Sequence, residues 1–338
     1  MRITHEWSDV HHHAKQHGRV RTTSEGLEMA WSGSGFTFSL SGCHKVVLRF
    51  APLENNGNRT PVCVGVYVNG SKTKFCLEGT TPIIFVENDE EIETFTCLRL
   101  SEGDVPLLLQ SFELWGDAPA FLPPPPAASK RILFIGDSIT CGYGTESVKD
   151  DTVFYSWEED VTHAYAYITA KALGADYQIV AISGQGIVLN CMGEVGRRFG
   201  DFWKNANRTP NPPQDESQFD PHIVVVNGGT NDRGGNVSFD TFYEGADHFL
   251  SAIREKHPKA EIIWIYGAMG TQYAEPLERL FANRRKTDAH MSFVCATPIY
   301  AHDERVGVHG HPTHLGQIHL AKELMAHIAG LGLEGGVS

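Results

Sequence analysis

The sequence predicts an α/β chain in two parts. An N-terminal β-sandwich of jelly-roll type covers residues 1–120, a proline-rich hinge covers 121–129, and a parallel α/β sheet flanked by helices covers 130–338. Three observations predict this. Before residue 121, short strand-like runs follow one another without a comparable helical period. Pro123 to Pro126 then interrupt the chain with a stiff extended spacer. After them, apolar strand-like runs alternate with amphipathic helical segments, the rhythm of a parallel sheet.

The first part is read element by element. Val46 to Phe50 is short and β-branched, and Val64 to Val68 alternates and leads into Asn69-Gly70. Asn-Gly between two strand-like runs is the strongest short hairpin signal. Pro82 to Val86, Thr94 to Leu100 and Leu107 to Trp115 continue the series. Many short strands at regular spacing predict a sandwich.

The second part opens with a strand at Ile132 to Ile135. Thr162 is placed to cap a helix that carries Tyr165, Ile168, Ala172 and Leu173 on one face and ends at Gly174. Strands follow at Tyr177–Ile182, Ile223–Val226, Ile262–Tyr266 and Ser292–Cys295. Phe239, Phe242, Phe249, Leu250 and Ile253 mark a long helix that stops at His257-Pro258, and Thr313 to Ala329 reads as a closing helix. Continuous apolar strands predict a sheet buried on both faces.

Composition limits the function classes. The chain of 338 residues is 41% hydrophobic and 20% charged, with a formal net charge of −13. That excess of acid argues against a nucleic-acid or anionic-membrane surface, which needs clustered Lys and Arg. No apolar run follows Met1 to Trp7, so neither a signal segment nor a membrane span is expected, and the expectation is a cytoplasmic protein. The seven cysteines are scattered, odd in number and without a C-x-x-C pair, which predicts reduced core thiols. Oligomerisation stays open.

Four loops stand where a parallel sheet presents reactive groups, outside the carboxyl ends of its strands. They are Gly136-Asp137-Ser138, Ser183-Gly184-Gln185-Gly186, Asn227 to Asp232, and His309-Gly310-His311-Pro312-Thr313-His314. Together they fit acyl transfer. Ser138 would attack a carbonyl and His311 would carry its proton. The backbone N–H groups of Ser138 and Gly184 and the side-chain amide of Asn231 would form an oxyanion hole, in which one donor is worth about 10²–10³ in turnover. A histidine base predicts a rate that rises with pH through about 6.5.

These four blocks resemble those of the SGNH (GDSL-type) hydrolases: Ser138 in G-D-S, Gly184, Asn231 in Gly229-Thr230-Asn231-Asp232, and the late His311. Within that group the chain is most similar to carbohydrate esterase family 2. The cues are Ile135 to Gly144, Ser183 to Gly186 and His311-Pro312. The resemblance implies an N-terminal jelly roll joined by a proline-rich hinge, so it covers nearly the whole chain. It also implies an acetyl esterase that needs no cofactor or metal and acts on acetylated plant oligosaccharides of the xylan or mannan type. Trp264, Tyr266, Tyr143, Trp203 and Trp157 are candidate sugar platforms.

One position departs from the pattern. Such hydrolases usually carry Asp two or three residues before the histidine, and here His309 and Val308 stand there. The resemblance implies that a main-chain carbonyl orients His311. His309 as a neutral acceptor, or Asp303 or Glu304 folding back, are the alternatives. If a carbonyl orients His311, His309→Ala keeps most activity. Two other classes remain. His302, His309, His311, His314 and His319 crowd the C-terminal fifth, and His309-x-His311-x-x-His314 resembles a zinc hydrolase cluster. A non-catalytic carbohydrate-binding protein is the other.

Overall fold

A computed structural model describes residues 1–53, 61–208, 219–300 and 303–333. The chain divides into two compact units. The first comprises Met1–Ala127, Tyr155–Trp157 and Ala206–Pro212. The second comprises Ala128–Phe154, Glu158–Asn205 and Pro213–Ser338. The chain thus crosses from one unit to the other at several places along the sequence.

The first unit contains β1 (Arg2–Glu6), the single-turn helix α1 (Trp7–Val10), β2 (Ala14–His17), β3 (Val20–Thr23), β4 (Gly26–Met29), β5 (Gly35–Ser41) and β6 (Lys45–Phe50). It continues with β7 (Val62–Val68), β8 (Ser71–Leu77), β9 (Ile83–Glu87), β10 (Thr94–Arg99), β11 (Leu107–Trp115) and β12 (Ala120–Phe121). One antiparallel sheet runs β3-β4-β11-β6-β9, with β1 also on β11. The other runs β12-β5-β10-β7-β8, with β2 also on β5. Alternate residues of both sheets, such as Phe36 and Phe38 on β5 and Val46 and Leu48 on β6, fill one shared core. On β11 the inward parity changes from Leu107 and Leu109 to Phe112 and Leu114. A bulge between Leu109 and Ser111 inserts the extra residue, so both ends of the strand face inward.

One expectation fails here. Cys63 and Cys76 form a disulfide, and Cys43, Cys97, Cys141, Cys191 and Cys295 stand outside any disulfide. The reason is register. The hairpin turns at Asn69-Gly70, and counting outward along β7 and β8 sets Cys63 opposite Cys76. Disulfides persist in oxidising compartments, so this pair removes the reduced-thiol argument for a cytoplasmic protein.

The second unit contains β13 (Arg131–Gly136), α2 (Ser138–Cys141), α3 (Tyr165–Ala172), β14 (Asp176–Ala181), α4 (Phe199–Phe202), β15 (Ile223–Asn227) and α5 (Thr230–Gly234). It closes with α6 (Phe239–Lys256), β16 (Glu261–Tyr266), α7 (Ala274–Arg284), β17 (Met291–Cys295) and α8 (His314–Gly330). The sheet order is β14-β13-β15-β16-β17 and all pairs are parallel. The chain leaves β13 toward one edge and then returns to build the other side. The switch point therefore lies between β13 and β15, where such sheets open a crevice at their carboxyl ends.

Both faces of the sheet are covered. Ile132, Phe134, Ile263 and Ile265 share a core with α3 and α8. Trp264 faces the other way, against Phe242 and Phe249 of α6 and Phe281 of α7. Ser238 caps α6 by accepting from the N–H of Thr241. Thr162 does not cap α3. Its N–H and hydroxyl both donate to Asp160, which heads a single 3-10 turn, and Ala164 precedes the helix without a side-chain cap. The sequence reading places no helix between Tyr266 and Ser292. There α7 forms with Pro276 in its first turn, where a missing N–H leaves no bond unmade. Among the described residues, no helix is long and apolar enough to cross a membrane.

Candidate active site

Ser138 opens α2 directly after β13. Asp137 caps that turn by accepting from the N–H of Ile139 at 3.1 Å, which fixes the serine at the head of the crevice. Ser138 is 4% exposed. His311 Nε2 lies 2.8 Å from Ser138 Oγ, within the hydrogen-bond reach that a nucleophile and its base require.

His311 stands in a loop latched to the serine loop. Ser147 Oγ donates to Gly144 O at 2.7 Å and accepts from the N–H of Val308 at 2.9 Å. The His314 N–H donates to Thr145 O at 2.8 Å. Gln317, buried in α8, donates to Ile139 O and accepts from the Tyr165 N–H, both at 2.9 Å. His311 and Ser138 are therefore set by one hydrogen-bonded frame.

The loop after β14 begins beside the serine, because Gly136 pairs with Ala181 at the end of the two strands. Gly184 has φ +78°, the left-handed region that favours glycine. The backbone N–H groups of Ser138 and Gly184 make no hydrogen bond among the described residues. They remain available as donors at the crevice.

Asn231 sits on α5, across the switch point. Its Nδ2 donates to Asp137 Oδ2 at 3.0 Å and to Gln185 O at 2.8 Å, so both amide hydrogens are engaged. Asn231 thus braces the serine turn to the Gly184 loop, an arrangement the sequence reading did not contain.

Asp232, also missed, anchors that loop. Its carboxylate accepts from the N–H groups of Ile187 at 2.9 Å, Val188 at 2.7 Å and Leu189 at 3.1 Å. Burial pushes its carboxyl above the usual range, while those three donors pull it back down.

The other predicted residues divide. Tyr143 joins the site, with its ring 4.4 Å from the His311 ring and tilted by 40°. His309 uses both ring nitrogens elsewhere, Nδ1 with Tyr143 Oη at 2.9 Å and Nε2 with Thr152 O at 3.1 Å. It does not orient His311 by a direct bond.

Trp264 and Tyr266 are not sugar platforms. They are 0% and 1% exposed, because β16 is an interior strand with both faces covered, and Trp264 Nε1 donates to Gly228 O. Trp203 is buried as well. Trp157 is exposed and stacks on Tyr155 in the first unit.

The zinc arrangement of the histidine triplet is not formed. His309 holds Tyr143, His311 holds Ser138, and His314 stacks on His163 at 4.1 Å. His302 lies outside the described residues.

The sequence matches a known group. The model of the GDSL-like Lipase/Acylhydrolase family matches residues 134–306, more than half of the chain. The chain belongs to that family.

Its relatives include the "Cellulase/esterase CelE" of Acetivibrio thermocellus, 28% identical over 256 residues, with 72% of this chain and 30% of that protein covered. An "Acetylxylan esterase / glucomannan deacetylase" of Cellvibrio japonicus is 27% identical over 210 residues, covering 60% of this chain and 58% of that one. The chain therefore spans less than two thirds of the length of either relative. A family two carbohydrate esterase from Clostridium thermocellum, solved in complex with cellohexaose, has the same fold. Its TM-score is 0.82 at 24% identity, with 95% of this chain and 99% of that chain covered.

Proposed function

We propose that this chain is a serine esterase that removes O-acetyl groups from sugar hydroxyls. The observation that carries the reading is the 2.8 Å contact between His311 Nε2 and Ser138 Oγ at the switch point of the sheet. Ser138 Oγ attacks the acetyl carbonyl carbon while His311 takes its proton. The tetrahedral oxyanion is met by the N–H groups of Ser138 and Gly184. Asn231 joins them by exchanging its bond to Gln185 O for the oxyanion. Collapse breaks the ester bond, and the sugar oxygen leaves with the proton from His311. Water, deprotonated by His311, then releases acetate from Ser138.

The substrate reading rests on the relatives. One relative is a cellulase/esterase, another is an acetylxylan esterase / glucomannan deacetylase, and one structural neighbour was solved with cellohexaose. An acetylated xylan- or mannan-type oligosaccharide is therefore proposed, in keeping with a net acidic chain and a neutral glycan. The strand orders β4-β11-β6-β9 and β5-β10-β7-β8 support a jelly-roll reading of the first unit. Hydrolysis of a chromogenic acetyl ester, lost in Ser138→Ala and in His311→Ala, is the expected result. No turnover by the wild-type chain, or turnover that survives Ser138→Ala, contradicts the reading. A regioselectivity assay on acetylated manno- and xylo-oligosaccharides assigns the sugar.

A further inference from the structure

The base of the Ser138–His311 pair has no carboxylate in the turn before it, and the residue that stands there is spent on a tyrosine. We infer that Tyr143, held by His309, is a positioning residue of His311, an inference that rests on the esterase reading above.

The hydrogen bonds define the tautomer of His309. Thr152 O is a carbonyl and only accepts, so His309 Nε2 carries the proton and donates to it at 3.1 Å. In the neutral ring, Nδ1 is then the acceptor, and the Tyr143 hydroxyl donates to it at 2.9 Å. His309 adopts φ +52°, a left-handed conformation uncommon outside glycine, and the two side-chain bonds fix its imidazole against the phenol.

The phenol ring is fixed on a second side by stacking on Phe154, with centroids 3.8 Å apart and planes within 14°. Clamped in this way, the ring lies 4.4 Å from His311. It limits the rotation of the imidazole while Nε2 faces Ser138. Donation to His309 enriches the phenol oxygen and ring in electron density. The imidazolium formed when His311 takes the serine proton is therefore favoured over that ring. Position and charge stabilisation are the two services a triad carboxylate provides, and here an aromatic ring contributes to both without a formal charge.

The test is a double-mutant cycle on acetyl ester hydrolysis, with thermal midpoints measured alongside to check folding. Tyr143→Phe keeps the ring and loses the tether, and His309→Ala loses it from the other end. Each is expected to lower kcat about fivefold with KM unchanged, and the double variant should fall no further than either single one. Tyr143→Leu removes the ring and should lower kcat about 50-fold or more. The rate at which a fluorophosphonate labels Ser138 should fall in the same order, since that reaction needs the base and not a sugar. Wild-type kcat in Tyr143→Phe and His309→Ala, additive losses, or a rise in KM at constant kcat would each overturn the inference. The last of these would make Tyr143 a substrate contact. The esterase reading fails separately, if the wild-type chain neither turns over acetyl esters nor is labelled at Ser138.

Discussion

At the residue scale, the pairing of Ser138 with His311 was legible because one stands in a loop that ends a strand and the other in a loop that opens a helix, and such loops converge at one edge of a parallel sheet. Order and spacing brought Ser138 and His311 forward, and the resemblance of the four blocks singled them out from the other serines and histidines. Trp264 and Tyr266 could not be excluded from spacing, because alternation on a strand carries no sign. Only the covering of both faces by α3, α8, α6 and α7 makes every side chain of β16 interior. Asp232 was invisible for a related reason, since its three partners are backbone N–H groups and no residue type records them. Asp232→Ala should leave the N–H groups of Ile187, Val188 and Leu189 without their acceptor. It is expected to cost about 3 kcal/mol of stability and to lower kcat through loosening of the Gly184 loop. Thermal melts and kcat on an acetyl ester check this, and wild-type values for both would show that the loop holds itself.

At the scale of elements, strands with a β-branched run or a turn signal were readable, as β6, β7, β10 and β11 are. The strands before Ser41 were not. β1 reads Arg-Ile-Thr-His-Glu with alternate residues exposed, and it forms because β11 offers it an edge. The hairpin of β7 and β8 was readable from Asn69-Gly70, yet the disulfide within it went unread because scatter and odd count were weighed without the register. The consequence can be measured. Alkylation of the denatured, unreduced chain should modify the five cysteines outside the disulfide, and reduction should then expose Cys63 and Cys76. Modification of all seven before reduction would contradict the pairing.

At the scale of the whole molecule, the two classes of architecture were legible from the change of pattern at the prolines. The return of later chain to the first unit was not. Ala206 O accepts from Trp31 Nε1 at 3.0 Å, Asn207 Nδ2 donates to Glu28 at 2.8 Å, and Arg208 meets buried Glu102 at 3.1 Å. These are polar contacts of a loop, and no hydrophobic period announces them. The same unit buries Glu113, which accepts from Arg2 and Arg49, each at 2.8 Å. The bond from Arg49 holds the Glu113 carboxyl below its usual range, with Trp115 and Arg2 adding to the effect against burial. A depressed folded-state value means that the ionised group stabilises the fold fully above about pH 4.3, the ordinary glutamate value, and that this is lost as pH falls further. Glu113→Gln should therefore melt below wild type at neutral pH, with the gap closing under acid. A gap independent of pH would contradict the assignment.

The central claim, that Ser138 is the nucleophile served by His311, is tested most directly by rapid quenching of the enzyme during turnover of an acetyl ester, followed by peptide mass analysis. The account predicts an acetyl group on the peptide that contains Ser138, and its loss in Ser138→Ala together with activity. Steady turnover without any adduct on that peptide, persisting in Ser138→Ala, would contradict it.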